Sequence, residues 1–170
     1  AMITIDGSFG EGGGQILRTA LSLSILTRQS FEINNIRSKR EEKGLKAQHL
    51  SAVKAAQELC NAKVEGAQIG STHLVFEPQK ISKTKFEIDI GTAGSITLLL
   101  QAILLPCFFA KKSTALKIIG GTDVQWSPQI NYFQEVFVPQ IKKYCKKIDV
   151  KVAKRGYYPA GSGEATVKIK

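Results

Sequence analysis

One pattern occurs twice along this chain: an Ile-Asp pair, a glycine-rich turn, then a long apolar helix. Ile5-Asp6 leads to Gly14-Gln15-Ile16-Leu17, and Ile88-Asp89 leads to Gly94-Ser95-Ile96-Thr97, at offsets of 83 and 80 residues. Further on, Leu50, Val53 and Cys60 are matched by Glu135, Val138 and Cys145, well at the apolar positions and poorly elsewhere. A repeat of that period would divide the 170 residues into two copies of one supersecondary unit.

The first copy reads as a strand over Ile3–Asp6, a helix over Gln15–Thr27 and an alternating strand over Phe31–Ile36. A second helix follows, its apolar positions running from Leu45 to Cys60 at helical spacing, with His49 among them and Asn61 as the stop. Lys63–Ile69 and His73–Phe76, separated by Gly70-Ser71, close the unit as a hairpin. The second copy is expected at Phe86–Ile90, Ser95–Ala110, Ala115–Ile119, Asn131–Tyr144, Ile148–Ala153 and Ala165–Ile169. The expected fold is α/β, an α+β two-layer sandwich built from tandem β-α-β-α-β-β units, each a four-stranded sheet with two helices on one face. Polar, turn-rich Pro78–Thr84 is the expected link, giving units 1–84 and 85–170. Ala1 before Met2 reads as a cloning remnant, and the stop at Lys170 directly after an alternating strand reads as a truncated chain.

Charge narrows the partners. The chain carries 24 Lys and Arg against 14 Asp and Glu, a formal net charge of +10, which favours a phosphate-bearing partner or serves solubility alone. The longest apolar run, Ser95–Ala110, is broken by Gln101 and Pro106 and is shorter than the roughly 20 residues a membrane span needs, so no membrane role is expected. Cys60, Cys107 and Cys145 are odd in number and set among apolar residues, which fits buried free thiols in a cytoplasmic protein.

The segment Asp6-Gly7-Ser8-Phe9-Gly10-Glu11-Gly12-Gly13-Gly14-Gln15 opens a helix whose first turn carries Arg18. Glycines admit an anion to backbone amides, a helix N-terminus offers partial positive charge and an arginine adds a bidentate donor. Glu11 opposes a phosphate unless a divalent cation bridges the two. The pattern is neither a P-loop nor a dinucleotide fingerprint, and a tight connection is the plainer reading. Arg37, Lys39, Arg40 and Lys43 follow the second strand and either clamp phosphates or form a solvated loop. Gln48 and His49 open the next helix, and His49 shares its apolar spacing, which suits a packed histidine better than a nucleophile.

Gly91-Thr92-Ala93-Gly94-Ser95 opens the second apolar helix, in which Gln101 is the one strongly polar residue. If buried, its amide requires a partner, either backbone or ligand. After Gly120-Gly121-Thr122-Asp123 come Trp126, Pro128, Tyr132 and Phe133, flat residues that either stack on a purine or belong to the core. No metal-binding Cys/His spacing and no Ser-His-Asp arrangement is present, and His73 reads as a surface residue in a strand.

Taken together, Asp6-Gly7 through Gly10-Glu11-Gly12-Gly13-Gly14-Gln15-Ile16-Leu17-Arg18, Ile36-Arg37 with Arg40, Gln48-His49-Leu50, Gly91-Thr92-Ala93-Gly94-Ser95, Gly120-Gly121-Thr122-Asp123 and Tyr158-Pro159-Ala160-Gly161 resemble the RNA 3'-terminal phosphate cyclases, nearly end to end. The resemblance implies a protein about twice this length, with repeats similar to enolpyruvyl transferase units and a third unit and inserted domain absent from this chain. It implies an enzyme that uses ATP to adenylate a histidine, passes AMP to an RNA 3'-phosphate and leaves a 2',3'-cyclic phosphate. That histidine belongs to the C-terminal half, and neither His49 nor His73 matches it. By position, Glu11 resembles the carboxylate that holds Mg2+ or Mn2+ near the ATP phosphates. Arg18, Arg37 and Arg40 resemble phosphate-contacting arginines, and Gln48 a polar active-site residue. Gln101 resembles the nucleotide-contacting glutamine and Pro128 the proline beside adenine, with Phe133 helping to form that pocket. The family also has a noncatalytic branch in ribosome biogenesis, the runner-up reading; an enolpyruvyl-type transferase shares the fold but not these motifs. Apolar surface normally covered by the missing elements makes a homodimer of this chain an expectation.

Overall fold

The computed structural model describes residues 1–170. Eight strands form two four-stranded sheets. In the first, β1 (Ile3–Asp6), β2 (Phe31–Asn34), β3 (Lys63–Glu65) and β4 (Leu74–Glu77) lie in the order β1-β2-β4-β3; in the second, β5 (Lys85–Asp89), β6 (Thr114–Gly120), β7 (Ile148–Lys154) and β8 (Gly163–Ile169) lie in the matching order β5-β6-β8-β7. In each sheet the first two strands are parallel and the other pairings antiparallel. The repeat extends to side chains. Ser8 donates its amide to Asp6 Oδ1 at 2.9 Å, and Gly91 donates to Asp89 Oδ1 at 2.8 Å, so the same aspartate fixes the turn in both copies.

Helices α1 (Gln15–Thr27) and α2 (Ala47–Cys60) cover the first sheet, and α3 (Ile96–Phe108) covers the second. α1 and α2 both pack on α3, so the helical faces of the two units meet. Their 34 buried apolar residues form one continuous core, which makes the two units mutually dependent. Leu17, Leu59, Phe76, Leu100 and Leu116 are each no more than 1% exposed, and burial of such side chains contributes about 1.5–3 kcal/mol apiece. No helix is long and apolar enough to cross a membrane.

Several elements are shorter than their periodicity predicts, for local reasons. β2 stops at Asn34 because Asn35 turns left-handed at φ 54° and the Ile36 amide donates to Thr72 instead. β3 stops at Glu65 because Gly66 takes φ 80°. His73 precedes β4 rather than lying within it; it is exposed, with Nε2 3.4 Å from Glu32. The expected helix at Asn131–Tyr144 is a composite, α4, over 130–144: α-helical at Ile130–Tyr132 and Val138–Ile141, π-helical at Phe133–Phe137 and 3-10 at Lys142–Tyr144. Pro139 has no N–H for the Glu135 carbonyl, which favours the looser turn just before it. All three cysteines are free; Cys60 and Cys107 are buried, whereas Cys145, expected with them, is only partly so.

Candidate phosphate-binding site

The two glycine turns lie at the carboxyl ends of the parallel strand pairs, and α2 joins them. Gly12 adopts φ 61°, a conformation that brings the turn back toward Ser8 and disfavours any side chain. Gly14 has an ordinary backbone, but a Cβ there would lie 2.5 Å from His49 Nε2 and 2.9 Å from Arg18 Nη1. A Cβ on Gly13 would meet Arg40 Nη2 at 3.1 Å, and one on Gly94 would meet Gln48 Cβ at 2.9 Å. The missing side chains thus let Arg18, Arg40, Gln48 and His49 close on the two turns.

Arg18 is the centre of the arrangement. It is 8% exposed, and its Nε donates to Gln101 Oε1 at 3.3 Å while Nη2 donates to Gln15 Oε1 at 3.4 Å. No carboxylate lies within 4.0 Å of it. Burial lowers its pKa, yet an arginine keeps its proton at any ordinary pH. A buried cation held only by neutral amides retains the capacity to pair with an anion.

Gln101, expected to be buried against backbone or ligand, is exposed on α3, and its partner is a side chain from the other unit. α1 and α3 pack closely enough for this contact, a juxtaposition that periodicity within either helix does not reveal.

Glu11 stands at the rim, 93% exposed, 3.6 Å from Arg40 Nη2. No three His, Cys, Asp or Glu residues converge anywhere in the chain. One exposed carboxylate suits Mg2+ or Mn2+ only if phosphate oxygens and water complete the shell, which is the usual way Mg2+ is held. Arg37 points elsewhere: it is 9% exposed, and Nη1 donates to the Glu42 and Gly44 carbonyls at 2.7 and 2.8 Å, closing its own loop.

His49 is 4% exposed, and its Nδ1 accepts from the Lys46 amide at 3.1 Å. Burial, reinforced by Arg37, Arg18 and Lys46, lowers its pKa to about 3, so the ring is neutral and carries its proton on Nε2. That N–H faces Gly14 and Arg18, with the Gln48 amide 3.4 Å away. His49 therefore presents a fixed donor rather than a nucleophile.

The second unit adds an apolar wall. The Thr97 hydroxyl, at the start of α3, donates to the Pro128 carbonyl at 2.7 Å and anchors that residue one turn from Gln101. Pro128 is partly exposed, whereas Phe133 is 5% exposed and packs in a tilted arrangement on Phe137 at 5.2 Å. Trp126 is not core: it is 96% exposed, at φ 64°. Arg155, which the sequence did not single out, reaches both oxygens of Asp123 at 3.1 and 2.9 Å and also bonds Asn131, tying the Gly120–Asp123 turn to the start of α4. Arg155 and Asp123 are 32 residues apart, and no local pattern marks the pair.

Residues 9–170 match the sequence profile of the RNA 3'-terminal phosphate cyclases, RTC. The chain is 48% identical over 169 residues to an RNA 3'-terminal phosphate cyclase of Archaeoglobus fulgidus, covering 99% of this chain and 52% of that protein. It is 49% identical to the protein of that name from Methanopyrus kandleri, covering 96% of this chain and 46% of the relative. The corresponding Pyrococcus abyssi protein is 50% identical, with 95% and 47% covered. The chain spans about half the length of these curated relatives.

Proposed function

The chain belongs to the RNA 3'-terminal phosphate cyclase family, and from that premise we propose that it supplies the phosphate-binding and metal-binding half of an enzyme that uses ATP to convert an RNA 3'-terminal phosphate into a 2',3'-cyclic phosphodiester. The observation that carries this reading is Arg18: a buried guanidinium with no carboxylate partner, set at the glycine turn that opens α1. A polyphosphate supplies the missing charge, and the turn leaves backbone amides free to approach it.

Each neighbour then has a role. His49 donates from Nε2 without carrying charge. Arg40 adds a cation at the rim, where Glu11 already lies close. Glu11 would hold Mg2+ or Mn2+ at that rim, and the metal would supply the charge neutralisation that a carboxylate beside a phosphate lacks. Gln101 holds the Arg18 guanidinium in place and keeps amide capacity for a nucleotide. Pro128, fixed by Thr97, offers an apolar face to an adenine, and Phe133 supports it. Arg37 acts on this site through its loop and through its field on His49 rather than by a free fork.

Neither histidine suits the covalent step: His49 is locked as a donor, and His73 lies beyond the site against Glu32. The assigned division of labour is tested by incubating this chain, and separately the Archaeoglobus relative, with ATP labelled at the α-phosphate and Mg2+, then resolving both on a denaturing gel. Label is expected on the relative and not on this chain. Label on this chain places a nucleophile among its own residues, and label on neither, across several metals, favours the noncatalytic RNA-binding branch.

A further inference from the structure

At the opposite end of the second sheet, away from the glycine turns, positive charge collects without compensation. A cleft of about 560 Å³ lies between the end of α3 and the end of α4, lined by Lys111, Lys112, Lys143, Lys146 and Lys170 and by no Asp or Glu side chain. A second cleft of about 560 Å³ adjoins it, sharing Ser113, Ile169 and Lys170, and adds Lys85, Lys147, Lys151 and Lys168 against a single acid, Asp149. Strand register explains the second group. Lys85 pairs with Ala115, Ala115 with Lys168 and Lys168 with Asp149, so these residues stand abreast on one face of the sheet.

The rest of that sheet shows what balanced charge looks like in this protein. Two residues along β6, Lys117 lies 3.7 Å from both Glu87 and Glu164. Of the lysines in the two clefts, only Lys151 has an ion-pair partner, Asp149 at 3.8 Å. Crowding so many ammonium groups with one acidic side chain costs self-repulsion, which a bound polyanion relieves. A further feature points the same way. Tyr144 is 68% exposed in the first cleft, with the Lys143 ammonium 4.9 Å from its ring centre, so an aromatic face lies amid the cations.

We propose that these joined clefts form a second RNA-binding surface, which grips backbone phosphates of a single strand upstream of its 3' end and offers Tyr144 for base stacking. The proposal rests on the reading of the chain as part of an RNA-end enzyme. β6 runs about 20 Å from this edge at Thr114 to the turn that begins at Gly120, so the lysine clefts lie at the end of the second sheet remote from the turns. A strand held at both places is longer than the terminal nucleotide alone, and the remote lysines read charge rather than end chemistry.

The test is fluorescence anisotropy of labelled RNA oligonucleotides ending in either a 3'-phosphate or a 3'-hydroxyl, titrated across salt concentration. The chain is compared with the triple variant Lys143→Gln/Lys146→Gln/Lys147→Gln and with a control, Lys54→Gln/Lys63→Gln, on the first unit; melting curves confirm that all are folded. The triple variant is expected to bind both RNAs roughly tenfold more weakly at low salt, and its log K against log salt slope falls by about 2, since each single-strand phosphate contact contributes about 0.7. The control is expected to match the parent. Equal slopes and affinities in parent and triple variant overturn the proposal, as does binding of phosphatidylserine vesicles that the triple variant loses while its RNA binding is unchanged. If no protein distinguishes the two RNA ends but the triple variant still loses slope, the end-chemistry reading fails and the remote surface stands.

Discussion

Gly14 shows how much of the site depends on an atom that is not there. Its φ of −70° is open to alanine, so the effect of Gly14→Ala comes from contact alone, a methyl pressed between His49 Nε2 and Arg18 Nη1. Both neighbours are buried. Such overpacking costs about 1–3 kcal/mol, measurable by urea unfolding, and displacement of Arg18 is expected to weaken Mg2+-ATP binding at least about tenfold in calorimetry. His49 gives a second test at this scale. Its pKa falls from an unfolded value near 6.5 to about 3, so below pH 6.5 the unfolded chain takes up a proton that the folded chain refuses. The His49 contribution to stability is therefore present above pH 6.5 and is lost as pH falls toward 3, at up to about 1.4 kcal/mol per pH unit. Unfolding of His49→Asn, which keeps an acceptor for the Lys46 amide, is expected to show a shallower loss between pH 6.5 and 4. An unchanged slope in that variant assigns the acid sensitivity to other groups.

At the scale of elements, the glycine turn and α3 carry both structure and site. Ser95 caps α3 by accepting from the Leu98 amide at 3.2 Å, and Thr97, 2% exposed, spends its hydroxyl on Pro128. Thr97→Val keeps the shape and removes the donor, leaving the Pro128 carbonyl without it. The expected cost is about 1–3 kcal/mol, with adenine nucleotides losing more affinity than inorganic triphosphate, because the wall moves while the phosphate groups stay; equal losses for both ligands rule against Pro128 as a base contact. Much at this level was legible in the sequence. Glycine punctuation and helical or alternating periodicity located the strands and α1 to α3, and Asn61 ends α2 in the left-handed conformation expected of a stop, its amide donating to Gln57. The π-helical part of α4 was not legible, since it depends on how Pro139 and the aromatic residues before it pack. Contacts across units were also hidden. Gln101 looked like a polar residue in need of a partner, but nothing local names Arg18, and the Arg155–Asp123 tie joins loops that only the fold brings together.

For the whole molecule, two copies of one topology place two glycine turns at one end of the fold, and the helices between the sheets bring them into one site. The repeat itself was visible at Ile5-Asp6 and Ile88-Asp89, where the same Asp-to-turn hydrogen bond recurs. What the copies do differs. In the proposed site the first would contribute charge through Glu11, Arg18 and Arg40, and the second Gln101 and Pro128. Leu23, Leu105 and Phe109 are exposed, and gel filtration across concentration tests the proposed homodimer of this chain, which a monomer at high concentration contradicts. Metal-bridged phosphate binding at the first turn is the step on which the proposed chemistry depends. Calorimetric titration of ATP into the chain and into Glu11→Gln, each with Mg2+ and with chelator, isolates that claim. The parent is expected to bind ATP more tightly with Mg2+ than without it, and Glu11→Gln is expected to lose that increment while keeping the metal-free affinity that Arg18 provides. A Mg2+ increment of the same size in Glu11→Gln contradicts the account.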